Sequence, residues 1–408
     1  MKTSIQVLAG VAVGILLALL LPEGNIIFGY IVKISAIAIS VGRYIILPLM
    51  LFSMIVSVYK LQEKKDLFKY FLGNIGISAI FSAGLVIIGV IISLIFTPEQ
   101  IPVVIDGLYT ENVPGFLELI QSSFPDNFFN LFNGNFNDNS SQFVPFFLFA
   151  LIFGIFLTKN SKEEIEPTYN LIDSLSRIFY KINFYFYKIA FVWVTIITTS
   201  YVLTIKNIVD FEIFKPLIIL LVILTLVIIL VVYPIIFYYL NNKENPFKYI
   251  LTKLPLILIS SFTGDQLFSI SSLIHTQKES LNIKRDYSGY NIPFLTLFSK
   301  SGTALVSVIS FIVILKSYSS LEITAIQILW VGIMSFLVSF CLPTKAVGSI
   351  IASLFLLCSL YGYGGMEDSF IILSPIFPIL ISVSTVINSS TILLINIINN
   401  PEKNKIIL

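Results

Sequence analysis

One ammonium group stands inside a long apolar run. Between Tyr290 and Leu315 the only charged residue is Lys300. The run is long enough to cross a bilayer, and a cation at bilayer depth costs roughly 2.5 to 3.5 kcal/mol on insertion scales. Its neighbours Ser299, Ser301 and Gly302 are small and weaken a helix. A helix that breaks around a buried cation at mid-membrane is a binding-site hypothesis by default. Three further polar patches interrupt apolar sequence nearby. One is Ser260-Ser261-Phe262-Thr263-Gly264-Asp265-Gln266. The second is Thr344-Lys345 with the free backbone N–H groups around Gly348, and the third holds Ser382, Ser384, Thr385, Asn388, Ser389, Ser390 and Thr391. Ser384, Asn388 and Thr391 recur at helical spacing, so they share one face.

Each residue also has a plain structural reading. A serine or threonine in an apolar helix often only bonds the carbonyl one turn back or a neighbouring helix. Asp265 can cap a helix at the surface, and Lys345 can extend to the outer interface. Arg43, Arg177, Lys181 and Lys188 lie near run ends and read as interfacial, and Trp193 and Trp330 as packing or belt aromatics. His275 falls near the cytoplasmic end of its run and reads as structural. Lys300, far from either end of its run, has the least freedom to escape. If Lys300, Lys345 and Asp265 share one centre, they leave one positive charge, which a carboxylate substrate or a neutral lysine would balance.

Composition sets the elements that must hold these residues. Of 408 residues, 56% are hydrophobic and 12% charged, against about 25% charged in soluble domains. Repeated apolar runs of membrane-spanning length predict an all-α polytopic membrane protein. The net charge of +2 and the lack of a basic stretch argue against a nucleic-acid partner. Cys341 and Cys358 lie in apolar surroundings and read as small buried hydrophobes, with no disulfide framework or metal site. A single histidine excludes motifs that need two. With no serine elbow and no paired intramembrane aspartates, an enzyme is not expected. Met1-Lys2 and the apolar stretch to Leu21 lack a small-residue cleavage site before Pro22-Glu23, so this reads as a first span that stays.

The connections orient the chain. Lys60, Lys64, Lys65 and Lys69 place one loop in the cytoplasm, while the acidic segment 98–143, without Lys or Arg, reads as external. Lys243, Lys248, Lys278, Lys284 and Arg285 all prefer the cytoplasm, so the run 254–275 must enter and return on the same side. The acidic segment Gly362–Ser369 belongs outside, so the run 325–361, broken at Cys341–Gly348, must also return to its own side. Each hairpin is followed by a span with a polar middle, and the two enter from opposite faces. That is the inverted-repeat pattern of secondary transporters. About eight transmembrane helices plus two re-entrant helical hairpins are therefore expected, with both termini cytoplasmic. Non-helical backbone at membrane depth must line a cavity or be buried in protein. The breaks should therefore converge, with Ser260, Ser261, Thr263, Asp265, Thr303, Thr344, Lys345, Ser384, Thr385 and Asn388 as candidate substrate-binding residues.

These features resemble the glutamate transporter and dicarboxylate/amino acid:cation symporter family. Tyr44-Ile45-Ile46-Leu47-Pro48-Leu49-Met50-Leu51-Phe52-Ser53 looks like its second helix, and Asn127 to Leu157 its fourth. Ser299-Lys300-Ser301-Gly302-Thr303 aligns with its Asn-Met-Asp-Gly-Thr motif, Pro343 with the second hairpin tip, and Ile381 to Thr391 with the last helix. The resemblance implies a homotrimer in the cytoplasmic membrane. Residues 1–245 would be mainly scaffold, with helices 3 and 6 joining the moving part, and 246–408 would form the core transport domain. It implies an elevator-type symporter of a dicarboxylate or an amino acid such as glutamate or aspartate, coupled to sodium or protons and needing no resident cofactor.

Departures from the family pattern are specific. The motif's Asn and Asp are Ser299 and Ser301 here. The aspartate that receives a substrate amino group falls at Ile381, the arginine for a substrate carboxylate at Ser384, and a sodium-holding aspartate at Ile392. Hard cations need several oxygen ligands. Ser299, Lys300 and Ser301 are therefore read as the cation-site equivalent, with the Lys300 ammonium standing roughly where a bound cation would sit. The alternative reading is an uncoupled uniporter or channel-like carrier for small organic anions or neutral amino acids.

Overall fold

A computed structural model describes residues 2–21, 26–96, 100–102, 143–240, 245–281, 285–318, 323–341, 349–361 and 367–399. Every regular element among them is helical. The first six are α1 (Lys2–Leu20), α2 (Ile26–Glu63), α3 (Leu67–Ile95), α4 (Phe143–Leu157), α5 (Lys162–Lys188) and α6 (Ala190–Lys206). Next, α7 (Phe211–Val227) continues through a π-turn, Ile228–Val232, into α8 (Tyr233–Leu240). Then come α9 (Pro246–Thr263), α10 (Gln266–Leu281), α11 (Arg285–Phe298), α12 (Ser301–Tyr318), α13 (Ala325–Cys341) and α14 (Ser349–Tyr361). A 3-10 segment, Glu367–Ile376, leads into α15 (Phe377–Ile398).

Among the described residues, five helical stretches are long and apolar enough to cross a membrane, or six if the bent pair α5–α6 counts as one. Five shorter apolar helices accompany them among the described residues, and three of these, Tyr249–Thr263, Ala325–Phe340 and Ser349–Tyr361, fall within the two runs where the sequence leads one to expect hairpins. At about 1.5 Å per residue, helices of this length fall short of a hydrocarbon core about 30 Å thick. Large apolar side chains such as Leu20, Tyr44, Ile80 and Ile326 face outward. That surface fits a membrane-embedded protein, where lipid rather than water covers it.

Two sets of helices surround the centre. Helix α2 packs on α4, α5, α6 and α11, and α1 packs on α6. Helix α12 packs on α3, α13, α14 and α15, while α9 and α10 also lie on α15. As a result α12 is buried from Ser301 to Leu315 and α15 is buried along most of its length. Neither buried stretch carries a charged residue, and several of their neutral polar groups find partners on neighbouring helices. Helix α3 runs alongside α11 and α12 in the same direction: Tyr70 meets Tyr287, Asn74 meets Asn291 and Gly89 lies beside Leu305. Four amides fix that register. Asn399 donates to Asn74 (2.8 Å), Asn74 to Asn291 (2.8 Å) and Asn291 to Asn396 (3.0 Å). In apolar surroundings such interhelical bonds replace the contacts water would otherwise make.

Candidate functional site

The break predicted around Lys300 is present. Helix α11 ends at Phe298 and α12 begins at Ser301, leaving Ser299 and Lys300 between them. A new helix starting in a dry interior exposes unpaired N–H groups. Asn388 of α15 meets two of them: its Oδ1 accepts from Gly302 N (2.8 Å) and Thr303 N (3.4 Å). Its amide then donates to Thr303 Oγ1 (3.1 Å), which pairs with Ser349 Oγ at the start of α14 (2.9 Å). One asparagine thus acts as an N-cap supplied from another helix and joins α12, α14 and α15. Gly302 permits the approach, because a Cβ there would run into the Ser384 carbonyl and Ile387.

Lys300 is 1% exposed, and its ammonium donates to Gln266 Oε1 at 2.7 Å. Gln266 in turn donates to the Thr296 carbonyl at 3.4 Å. It is the first residue of α10, so the ammonium is fixed to the turn between α9 and α10. That turn is Gly264-Asp265. Gly264 ends α9 in the left-handed region, φ +59°, with its N–H on the Ser260 carbonyl. Asp265 then opens α10: Oδ1 accepts from Leu267 N (2.9 Å) and Phe268 N (3.2 Å). Its other oxygen, Oδ2, accepts from Arg43 Nε of α2. Both carboxylate oxygens are therefore engaged. Arg43, expected at an interface because it lies near the end of its run, is instead buried and ion-paired. Its partner stands 222 residues away, and local sequence cannot reveal it.

Helix α15 holds the turn from the other side. Thr385 Oγ1 donates to the Gly264 carbonyl (3.1 Å) and Ser382 Oγ to the Ser261 carbonyl (2.5 Å). Thr391 donates to its own Ile387 carbonyl, so its oxygen accepts from Tyr233 OH (2.6 Å) and Ser301 Oγ (2.9 Å). The other expected hydroxyls divide. Ser261, Thr263 and Ser384 bond carbonyls of their own helices at Ile257, Ile259 and Ile381, the plain structural reading. Ser260, Ser299, Ser389 and Ser390 are buried with no hydrogen-bond partner among the described residues. Thr344 and Lys345 lie outside the described residues.

The arrangement thus unites Lys300, Ser301, Thr303, Asp265, Thr385 and Asn388 around two chain breaks and adds Gln266, Ser349, Tyr233 and Arg43. Ser349 and Tyr233 carried no sequence signal beyond residue type, and only packing brings them in. Neutral hydroxyl and amide groups around a fixed ammonium suit an anion. They do not make a cage for a hard cation, which needs several oxygens and gains from carboxylates. Among the described residues no cluster of His, Cys, Asp or Glu could hold a metal ion.

A family model described as the sodium:dicarboxylate symporter family matches residues 3–400. No curated protein sequence matches the chain.

Proposed function

The chain belongs to the sodium:dicarboxylate symporter family, and we propose that it is a secondary carrier in which the Lys300 ammonium replaces a co-transported cation. Its cargo is an organic anion, a dicarboxylate or an amino acid such as glutamate or aspartate. One observation carries the reading: Lys300 stands in the break between α11 and α12, bonded to Gln266 at the α9–α10 turn. That is where the helix interruption leaves polar backbone in the interior, the usual setting of substrate and ion in such carriers. The substrate contacts are Thr303, Ser384, Thr385 and Asn388, with Ser260, Ser261, Thr263, Asp265, Thr344 and Lys345 of the two hairpins.

Alternating access proceeds by an elevator motion in the cytoplasmic membrane, within a homotrimer. Residues 246–408 with α3 and α7–α8 move against α1, α2 and α4–α6. The packing of α12 among α3, α13, α14 and α15 supports that division, since these helices share one interior. The second reading, a passive uniporter, draws on Ser301 and Ile392 standing where the resemblance expects carboxylates.

The test is uptake of radiolabelled succinate, aspartate and glutamate by purified protein in proteoliposomes, with sodium or with choline outside. Uptake by the wild-type protein is expected to be unchanged by the swap. Sodium-dependent uptake that survives Lys300→Met unchanged would refute the role given to Lys300.

A further inference from the structure

Lys253 is a second wholly buried lysine, at 0% exposure, and it lies against a backbone irregularity. In the π-turn Ile228–Val232, the Tyr233 N–H reaches back five residues to the Ile228 carbonyl. In an α-helix that N–H would bond the Ile229 carbonyl instead, four residues back. The wider register offers Ile229 residue 234 as its donor, but that residue is Pro234, which has no N–H. The Ile229 carbonyl accepts from Lys253 Nζ of α9, at 3.0 Å. The same nitrogen lies over the rings of Tyr249 (4.4 Å) and Tyr233 (5.4 Å), close enough to be attracted to both.

The register of this turn decides where Tyr233 points. Successive residues of an α-helix are about 100° apart, so a turn one residue wider rotates α8 by about that angle relative to α7. In the register present, the Tyr233 hydroxyl reaches the Thr391 oxygen at 2.6 Å, and Ser301 meets the same oxygen at 2.9 Å. Ser301 opens α12 next to Lys300. Tyr233 thereby bonds α8, through α15, to the chain break at the candidate site.

We propose that Lys253 is a positioning residue of the anion site: it holds the π-turn that aims the Tyr233 hydroxyl at Thr391, beside Ser301. The inference rests on the carrier reading above. Without the Lys253 donor, the Ile229 carbonyl is left unpaired in a dry interior, which is costly. It can recover an N–H from Tyr233, and taking it returns the turn to the α-register. Helix α8 then rotates, and the Tyr233 hydroxyl leaves Thr391 and the first turn of α12. Lys253 thus acts on the break through Tyr233, by fixing a backbone register.

Four full-length proteins test this: wild type, Lys253→Met, Tyr233→Phe and the double variant. Their melting in detergent, without substrate, reads the tie between the two residues. Tyr233→Phe is expected to lower the melting temperature of the wild type and to leave that of Lys253→Met unchanged, because there the hydroxyl has already left Thr391. Additive losses overturn the proposal. Uptake of radiolabelled succinate, aspartate and glutamate into proteoliposomes reads the consequence for the site. Each single variant should raise the apparent KM about tenfold, a factor equal to about 1.4 kcal/mol. The maximal rate should be retained, and the double variant should be no worse than either single one. A wild-type KM in both single variants overturns the role in the anion site. Lys253→Arg, which keeps a donor for Ile229, should hold the KM near the wild-type value. If Lys253→Met does not fold, Lys253→Gln takes its place in both cycles under the same criteria. No uptake of any probe by the wild-type protein overturns the carrier reading instead, and the melting cycle then still decides whether Lys253 aims Tyr233.

Discussion

Arg43 of α2 and Asp265 at the turn between α9 and α10 form a buried ion pair, Nε to Oδ2 2.5 Å, with side chains 10% and 2% exposed. The pair ties the turn that holds Gln266, and through it Lys300, to a helix of the other set. Removing one partner of a buried pair leaves the other charge uncompensated, which costs about 3–5 kcal/mol. Arg43→Met is therefore expected to lower thermal stability sharply. Asp265→Asn keeps an oxygen for the Leu267 and Phe268 N–H groups, so the double variant Arg43→Met with Asp265→Asn should recover much of the loss. Melting of the four proteins in detergent measures the coupling, and simple additivity would show that the pair does not bind the two helices together.

Asn388 answers to two N–H groups at once. Asn388→Ala leaves Gly302 and Thr303 unsatisfied at the buried start of α12, at a cost of about 1–3 kcal/mol for each group. Asn388→Asp retains an acceptor for both N–H groups and should be far less harmful. A melting series including both variants checks the order, and equal losses would place the capping elsewhere.

The two glycines at the breaks should respond differently to alanine. At Gly264 the cost is mainly the left-handed conformation, about 1–2 kcal/mol, with the new methyl also 3.0 Å from the Ile381 Cγ2 methyl. At Gly302 the new methyl meets the Ser384 carbonyl and Ile387, so α12 and α15 must separate, and overpacking of this kind costs typically about 1–3 kcal/mol. Separation also disturbs Asn388, so Gly302→Ala should reduce uptake more than Gly264→Ala at matched expression. A Gly302→Ala protein with wild-type uptake and melting would contradict the close helix approach.

Lys253 and Pro234 should be coupled. Lys253→Met leaves the Ile229 carbonyl without its donor. Adding Pro234→Ala returns an N–H at the position that can reach it, so the double variant should melt higher than Lys253→Met alone. Groups that share a partner typically couple by about 0.5–3 kcal/mol. If Pro234→Ala is equally destabilising with and without Lys253, the proline does not explain the free carbonyl.

By itself the sequence determined the class and the main break. A charge alone among apolar residues, flanked by Ser and Gly, cannot stay in a regular lipid-facing helix, so Lys300 marked an interior interruption without any contact being known. The turn at Gly264-Asp265 was legible for the same reason, since Ser, Gly and Asp between apolar arms favour a cap and a reversal. What those residues touch was decided only by the tertiary structure. Arg43 looked interfacial because hydropathy records position along a run, whereas its burial depends on Asp265 at a turn distant in sequence. Lys253 drew no notice at the edge of its run, because its partner is a carbonyl freed by a π-turn and Pro234, and backbone irregularity of that kind has no residue type of its own. Asn388 was read as one polar position on a helix face, and only the close approach at Gly302 made it the cap of α12. Hydropathy and turn chemistry act over a few residues and can be read along the chain. Hydrogen-bond satisfaction in a dry interior is settled between helices, after they have packed.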